Sequence, residues 1–104
     1  TPLPQKKIDA LTEAYGKLIG IFPGKTERWL MLDFTGDAKM AFGGTTEPCA
    51  MVEIELFGKA SAESCDKMTD AVCAMIEVEC AIPAVRVYVK YAEVEHWGWN
   101  HANF

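Results

Sequence analysis

Apolar and polar positions along the chain change period several times, and each change marks an element. From the first residue to about residue 20, Ile8, Leu11, Tyr15, Leu18 and Ile19 fall at helical spacing. Lys6, Lys7, Asp9, Glu13 and Lys17 lie mostly off that stripe, so residues 1–20 are predicted to be an amphipathic helix that Gly20 can end. Phe22-Pro23-Gly24 then makes a connection. Residues 29–34 form a short, nearly continuous apolar run around Asp33, the pattern of a buried strand, with Thr35-Gly36-Asp37 turning the chain after it. A second, clearer strand lies beyond the turn at Gly43-Gly44. Val52, Ile54 and Leu56 alternate there with Met51, Glu53, Glu55 and Phe57.

Ser61 can cap a second helix with Glu63 in its first turn, and Cys65, Met68, Val72, Met75 and Ile76 supply its apolar face before Pro83. Val85, Val87, Val89 and Tyr91 alternate with Arg86, Tyr88 and Lys90, which puts Tyr88 and Lys90 on one face of a last strand. The order is α-β-β-α-β plus an aromatic tail of Trp97, Trp99 and Phe104. Two helix-then-strand units suggest an internal repeat. A βαβ crossover needs a strand before its helix, so the first unit reads as lacking its opening strand.

The bulk numbers narrow the class. The 104 residues make one domain, residues 1–104, and half of them are apolar. A net charge of −5, with only ten basic residues scattered along the chain, argues against nucleic acid or an anionic membrane as partner. There is no apolar run of membrane-spanning length and no basic-then-apolar leader before the first helix. A cytoplasmic protein is expected, or one exported without a signal peptide. Cys65, Cys73 and Cys80 share one predicted helix at separations that place their α-carbons roughly 10–12 Å apart, beyond disulfide reach. His96 and His101 have no nearby cysteine, so no metal and no cofactor is expected.

Met40-Ala41-Phe42-Gly43-Gly44-Thr45-Thr46-Glu47-Pro48-Cys49-Ala50 goes further than any of these patterns. As physics it is a glycine turn before a half-buried strand, an ordinary device. As a string it resembles the central signature of the macrophage migration inhibitory factor family, within the tautomerase superfamily. Gly24-Lys25, Phe57-Gly58-Lys59, the segment from Pro83 to Tyr91, and Gly98-Trp99-Asn100 with Phe104 extend the likeness over nearly the whole chain.

The resemblance implies an α+β fold of tandem βαβ units, with two helices packed on a four-stranded mixed sheet, assembled as a homotrimer with pockets between subunits. It implies keto–enol tautomerisation of an aryl pyruvate or related carboxylate, with an amino-terminal proline as base. Lys25 would grip the substrate carboxylate, Tyr88 would hydrogen-bond from the neighbouring subunit, and Phe57, Trp29, Trp97, Trp99 and Phe104 would shape the ring pocket. Lys90, where the family usually has asparagine, would add a second cation and favour a second anionic group. A cytokine-like trimer that binds a protein receptor is the alternative.

The sequence departs from the family in having no amino-terminal proline or first strand. Pro2 is tied in an amide and is no base, while Thr1 offers a primary amine at a helix start. Little tautomerase activity is therefore expected of these 104 residues. The Ile21–Pro23 region is a few residues longer than is typical. Phe57 stands where isoleucine is common, and Val52 replaces the second cysteine of the family's C-x-x-C.

Overall fold

In the computed structural model, which describes residues 3–104, the first helix (α1) spans Gln5–Leu18. Thr1 and Pro2, and the amine considered for Thr1, lie outside the described residues. Leu11 is buried, and Ile8, Tyr15, Leu18 and Ile19 are half-buried beside it, so the predicted stripe is the packed face. Gly20 does not end the helix. The chain tightens instead into a 3-10 turn over Ile19–Ile21 and delivers Phe22 into the core. Pro23 and Gly24 (φ +80°) then close a turn in which the Lys25 amide donates to the Phe22 carbonyl at 3.1 Å. Proline presets the first inner position of such a turn and glycine permits the second, so this dipeptide fixes where Lys25 emerges.

The expected strand over residues 29–34 is corrected. Glu27–Trp29 forms a 3-10 turn, and the residues after it have no ladder partner among those described. Their side chains alternate, with Leu30, Leu32 and Phe34 half-buried and Met31, Asp33 and Thr35 exposed. The segment carries the pattern of one half-buried strand without the hydrogen bonds.

The second expected strand is β1, Ala50–Phe57, with Leu56 buried and Val52 and Ile54 half-buried as the alternation requires. A second helix (α2) spans Ala62–Cys80, capped by Ser61, whose hydroxyl accepts from the Ser64 amide at 3.1 Å. Helix α2 crosses to β2, Val87–Val94, which pairs parallel with β1 in continuous register from Ala50 opposite Val87 to Phe57 opposite Val94. Val85 is not in that strand. Pro83 starts a 3-10 turn over Ala84–Arg86 that leaves Val85 82% exposed. Gly98–Trp99 (β3) and Ala102–Asn103 (β4) close the tail as a small antiparallel hairpin.

The fold is therefore α+β, with both helices on one side of the parallel pair. Its core gathers Phe22, Leu56, Met68, Val72 and Ile76. Tyr91 ties β2 to α2: its hydroxyl donates to the Cys65 carbonyl at 2.9 Å and lies 2.7 Å from the Thr69 hydroxyl. Burial raises the Tyr91 phenol above its ordinary range, with the Thr69 bond pulling the other way.

Helix α2 ends on Ala81 in the left-handed region (φ +57°), its amide donating to the Glu77 carbonyl. A β-carbon is disfavoured there and glycine is free of it. Ala81→Gly is expected to raise stability by about 1 kcal/mol in urea unfolding, whereas a glycine inside α2 lowers it by a similar amount.

Candidate functional site

Lys25 leaves its turn pointing at the carboxyl end of β1, where its ammonium donates to the Phe57 carbonyl at 2.9 Å. Two aromatic contacts gather around that point. The Phe57 ring meets Phe104 edge-on at 4.9 Å between centroids, and Trp29 meets Trp99 at 4.9 Å and 87°. The Phe104 amide donates to the Trp97 carbonyl, closing the tail over the same end. Lys25, Phe57, Trp29, Trp97, Trp99 and Phe104, which the sequence reading placed together, thus line one groove. Trp29 and Trp99 stay more than half exposed, as rings at a binding surface do. A cation at the end of an apolar, ring-lined groove is suited to an aromatic carboxylate, with the charge on Lys25 and the ring against the indoles.

The groove runs on from this end between β1 and residues 30–35, over a floor that includes Leu11, Tyr15 and Phe22. The Tyr15 phenol on that floor is pushed up to about 12, first by burial and secondarily by the neighbouring Cys80 thiol. Cys80 is itself raised by burial, partly opposed by Lys7.

Tyr88 and Lys90 lie elsewhere in the chain. Both are exposed on the face of β2 turned away from the helices, and neither lines the groove. Lys90 approaches the Glu53 carboxylate across the strand pair at 3.7 Å. Tyr88 packs on Phe42 at 4.7 Å between centroids. Within one chain the second cation expected of Lys90 does not join Lys25. The Arg28 guanidinium sits 4.9 Å from the Trp29 ring.

Arg86 is the residue that the sequence reading missed. Its guanidinium donates to the carbonyls of Pro48 (2.9 Å), Glu47 (3.0 Å), Phe42 (3.2 Å) and Thr45 (3.4 Å), and it lies over the Phe42 ring. Reciprocal bonds between Phe42 and Thr45 close the turn itself around Gly43 and Gly44, both at positive φ. A turn that leaves several carbonyls facing one way needs a multidentate donor, and only an arginine offers five N–H groups in a fixed fork. That was the available signal: an arginine just ahead of a strand, and a tight Gly-Gly turn with carbonyls to satisfy. Arg86→Met is expected to lower stability by about 1–3 kcal/mol, with Arg86→Lys giving little rescue because one ammonium cannot span these acceptors. Thermal unfolding of the two variants checks this.

The chain is similar to known proteins in sequence and fold. The family model described as "Macrophage migration inhibitory factor (MIF)" matches residues 1–104. The macrophage migration inhibitory factor of Xenopus tropicalis is 28% identical over 98 residues, covering 92% of this chain and 85% of that protein. Among solved structures, Leishmania major MIF2 superposes with a TM-score of 0.92 at 36% identity, covering 100% of this chain and 90% of its own. The macrophage migration inhibitory factor homologue of Prochlorococcus marinus gives 0.82 at 28% identity, covering 100% and 92%.

Proposed function

The chain belongs to the macrophage migration inhibitory factor family, and from that premise we propose that it serves keto–enol tautomerisation of an aryl pyruvate. The observation that carries this reading is the seating of the Lys25 ammonium at the Phe57 carbonyl, beside the Trp29–Trp99 and Phe57–Phe104 ring pairs. An aryl pyruvate presents a carboxylate, an adjacent carbonyl and a ring one carbon further on. With its carboxylate on Lys25, the ring can reach the aromatic wall. The isomerisation takes a proton from the carbon between carbonyl and ring. The electrons of that C–H bond form the enol double bond, and the carbonyl oxygen gains a proton. No atom is gained or lost.

The base in this reading is the secondary amine of an amino-terminal proline on a strand leading into Thr1. Such an amine, desolvated and beside the Lys25 cation, can be neutral near pH 7 and accept the proton. The path of the chain supports this placement. Leu3 packs against Gly36, so close that a β-carbon there would lie 2.6 Å from Leu3 atoms. That contact is at one end of the groove and Lys25 at the other. A strand running along the groove into Leu3 therefore starts at Lys25. The test compares phenylpyruvate tautomerisation by the 104-residue chain and by a form extended with a proline-first strand. The extended form is expected to be faster by about 10²–10⁴-fold, and Lys25→Ala in it to lose activity mainly through KM. Equal activity of the two lengths overturns the proline base.

The same reading makes the protein a homotrimer, in which Tyr88 and Lys90 of one subunit complete the pocket of the next. An assembly is supported by Tyr88 and Phe104, each of which exposes three-fifths of its area. Sedimentation at micromolar concentration is expected to give three times the 11.5 kDa chain mass, and a stable monomer refutes the assembly.

A further inference from the structure

Acidic residues outnumber basic ones in this chain by fifteen to ten, so a cation without an anion beside it stands out. Lys17, Lys59, Lys67 and Lys90 each meet a carboxylate at 3.3–3.8 Å. Arg28 pairs with none among the described residues, and its guanidinium lies on the Trp29 ring, 4.9 Å from the centroid. The reason is local. Glu27–Trp29 is a 3-10 turn, and three residues per turn send neighbouring side chains about 120° apart. Glu27 goes to the scaffold, where its carboxylate leaves no room for a β-carbon at Gly16 of α1. Trp29 goes to the groove and meets Trp99 edge-on. Arg28 takes the remaining direction, exposed at the rim and kept apart from the acid next to it in sequence. The Trp29 amide closes the turn by donating to the Thr26 carbonyl at 3.2 Å, directly after Lys25. Two cations therefore attend one aromatic end, Lys25 at the Phe57 carbonyl and Arg28 on Trp29.

We propose that Arg28 sets the substrate class of this site, selecting aryl pyruvates whose ring carries a second anionic group, a carboxylate. How the substrate lies rests on the tautomerase reading, with the 2-oxo acid end on Lys25 and the ring against the indoles. The far edge of that ring then passes along Trp29 toward the guanidinium. A planar guanidinium meets a carboxylate through two parallel N–H···O bonds, a fit that a lone ammonium does not reproduce. Stacking on Trp29 holds the fork in place beforehand. With no internal carboxylate to displace, the second anion of the substrate meets an open set of donors. An unsubstituted aryl pyruvate leaves those donors in water and gains nothing from them.

All three tryptophans of the chain line the groove, so their emission reads a ligand there. The probes are hydrocinnamate and para-carboxyhydrocinnamate, saturated analogues of phenylpyruvate and para-carboxyphenylpyruvate. Neither can enolise, so binding is measured apart from turnover. On the 104-residue chain the diacid is expected to bind about three- to tenfold more tightly than the monoacid. Arg28→Gln is expected to bring that ratio close to one, and Arg28→Lys to keep only part of it. Equal affinities in the unaltered chain overturn the proposal. So does a ratio that survives Arg28→Gln, even if both affinities fall, because Arg28 then serves only to pack on Trp29. A ratio lost in Lys90→Asn, with Arg28 in place, assigns the second anion to Lys90 and overturns it as well. Turnover by the proline-extended form tests the reading beneath. Equal kcat/KM for phenylpyruvate and para-carboxyphenylpyruvate leaves the tautomerase standing and overturns selection by Arg28. The expected binding ratio without turnover of either supports Arg28 as the anion-binding residue and counts against the tautomerase instead.

Discussion

Everything in this molecule is arranged by the parallel pairing of β1 with β2. Two parallel strands cannot be joined by a hairpin, because the chain must return to the starting end before pairing again. Helix α2 makes that return, and in crossing it lays Met68, Val72 and Ile76 over Leu56. The core is thus a by-product of the connection, since a crossover helix whose inner face was polar would leave the strand pair uncovered. The Tyr91 hydroxyl, bonded to the Cys65 carbonyl and close to Thr69, then fixes α2 against β2. The register this sets is what carries Phe57 to the end of the sheet where Lys25 waits.

The same pairing explains why the two ends of β1 differ so much. At its start, the incoming turn is held by hydrogen bonds from Arg86, which sits just before β2 and therefore opposite the start of β1 in the parallel register. At its finish the Phe57 carbonyl meets a lysine, and its ring meets the last residue of the chain. One end is closed by a cation that donates four hydrogen bonds to backbone carbonyls. The other end presents a cation holding a single carbonyl, with more donors to offer. That asymmetry of hydrogen-bond demand separates a structural arginine from a lysine able to take a ligand.

Legibility in the sequence followed the same division. The alternation of β1 was readable because one of its faces is buried and the other is not, and Ser61 declared the start of α2 through its short polar side chain. Residues 29–34 misled because apolar content signals burial, while a strand is a property of a pair. Met31 is 92% exposed there, so the run is an alternating one that looked continuous only because its outward residue is also apolar. Val85 misled for a related reason: it keeps the two-residue period, but Pro83 sets a turn that ends only at Arg86. As for the site, nothing around Lys25 separates it from a solvated surface lysine until Phe57 and Trp99, distant in sequence, arrive beside it. Those positions came from likeness to a family. Arg86 escaped because its acceptors lie some forty residues earlier, beyond any local pattern.

The groove and the ring-lined end are one feature seen at two places. The edge of β1 that has no partner among the described residues finishes among a lysine and several aromatic rings. Any extended segment that completes the ladder has its terminus delivered to that spot by hydrogen-bond register, without a dedicated contact to hold it. Register is a strong constraint, because a slip of one residue turns every apolar side chain away from the floor. A terminal amine positioned in this way is located by the whole strand. In the proposed reading, the Lys25 ammonium, part-buried where it donates to the Phe57 carbonyl, lies beside such an amine. In the proposed tautomerase reading, a base placed by sheet register rather than by its own side chain ties turnover to the completed ladder.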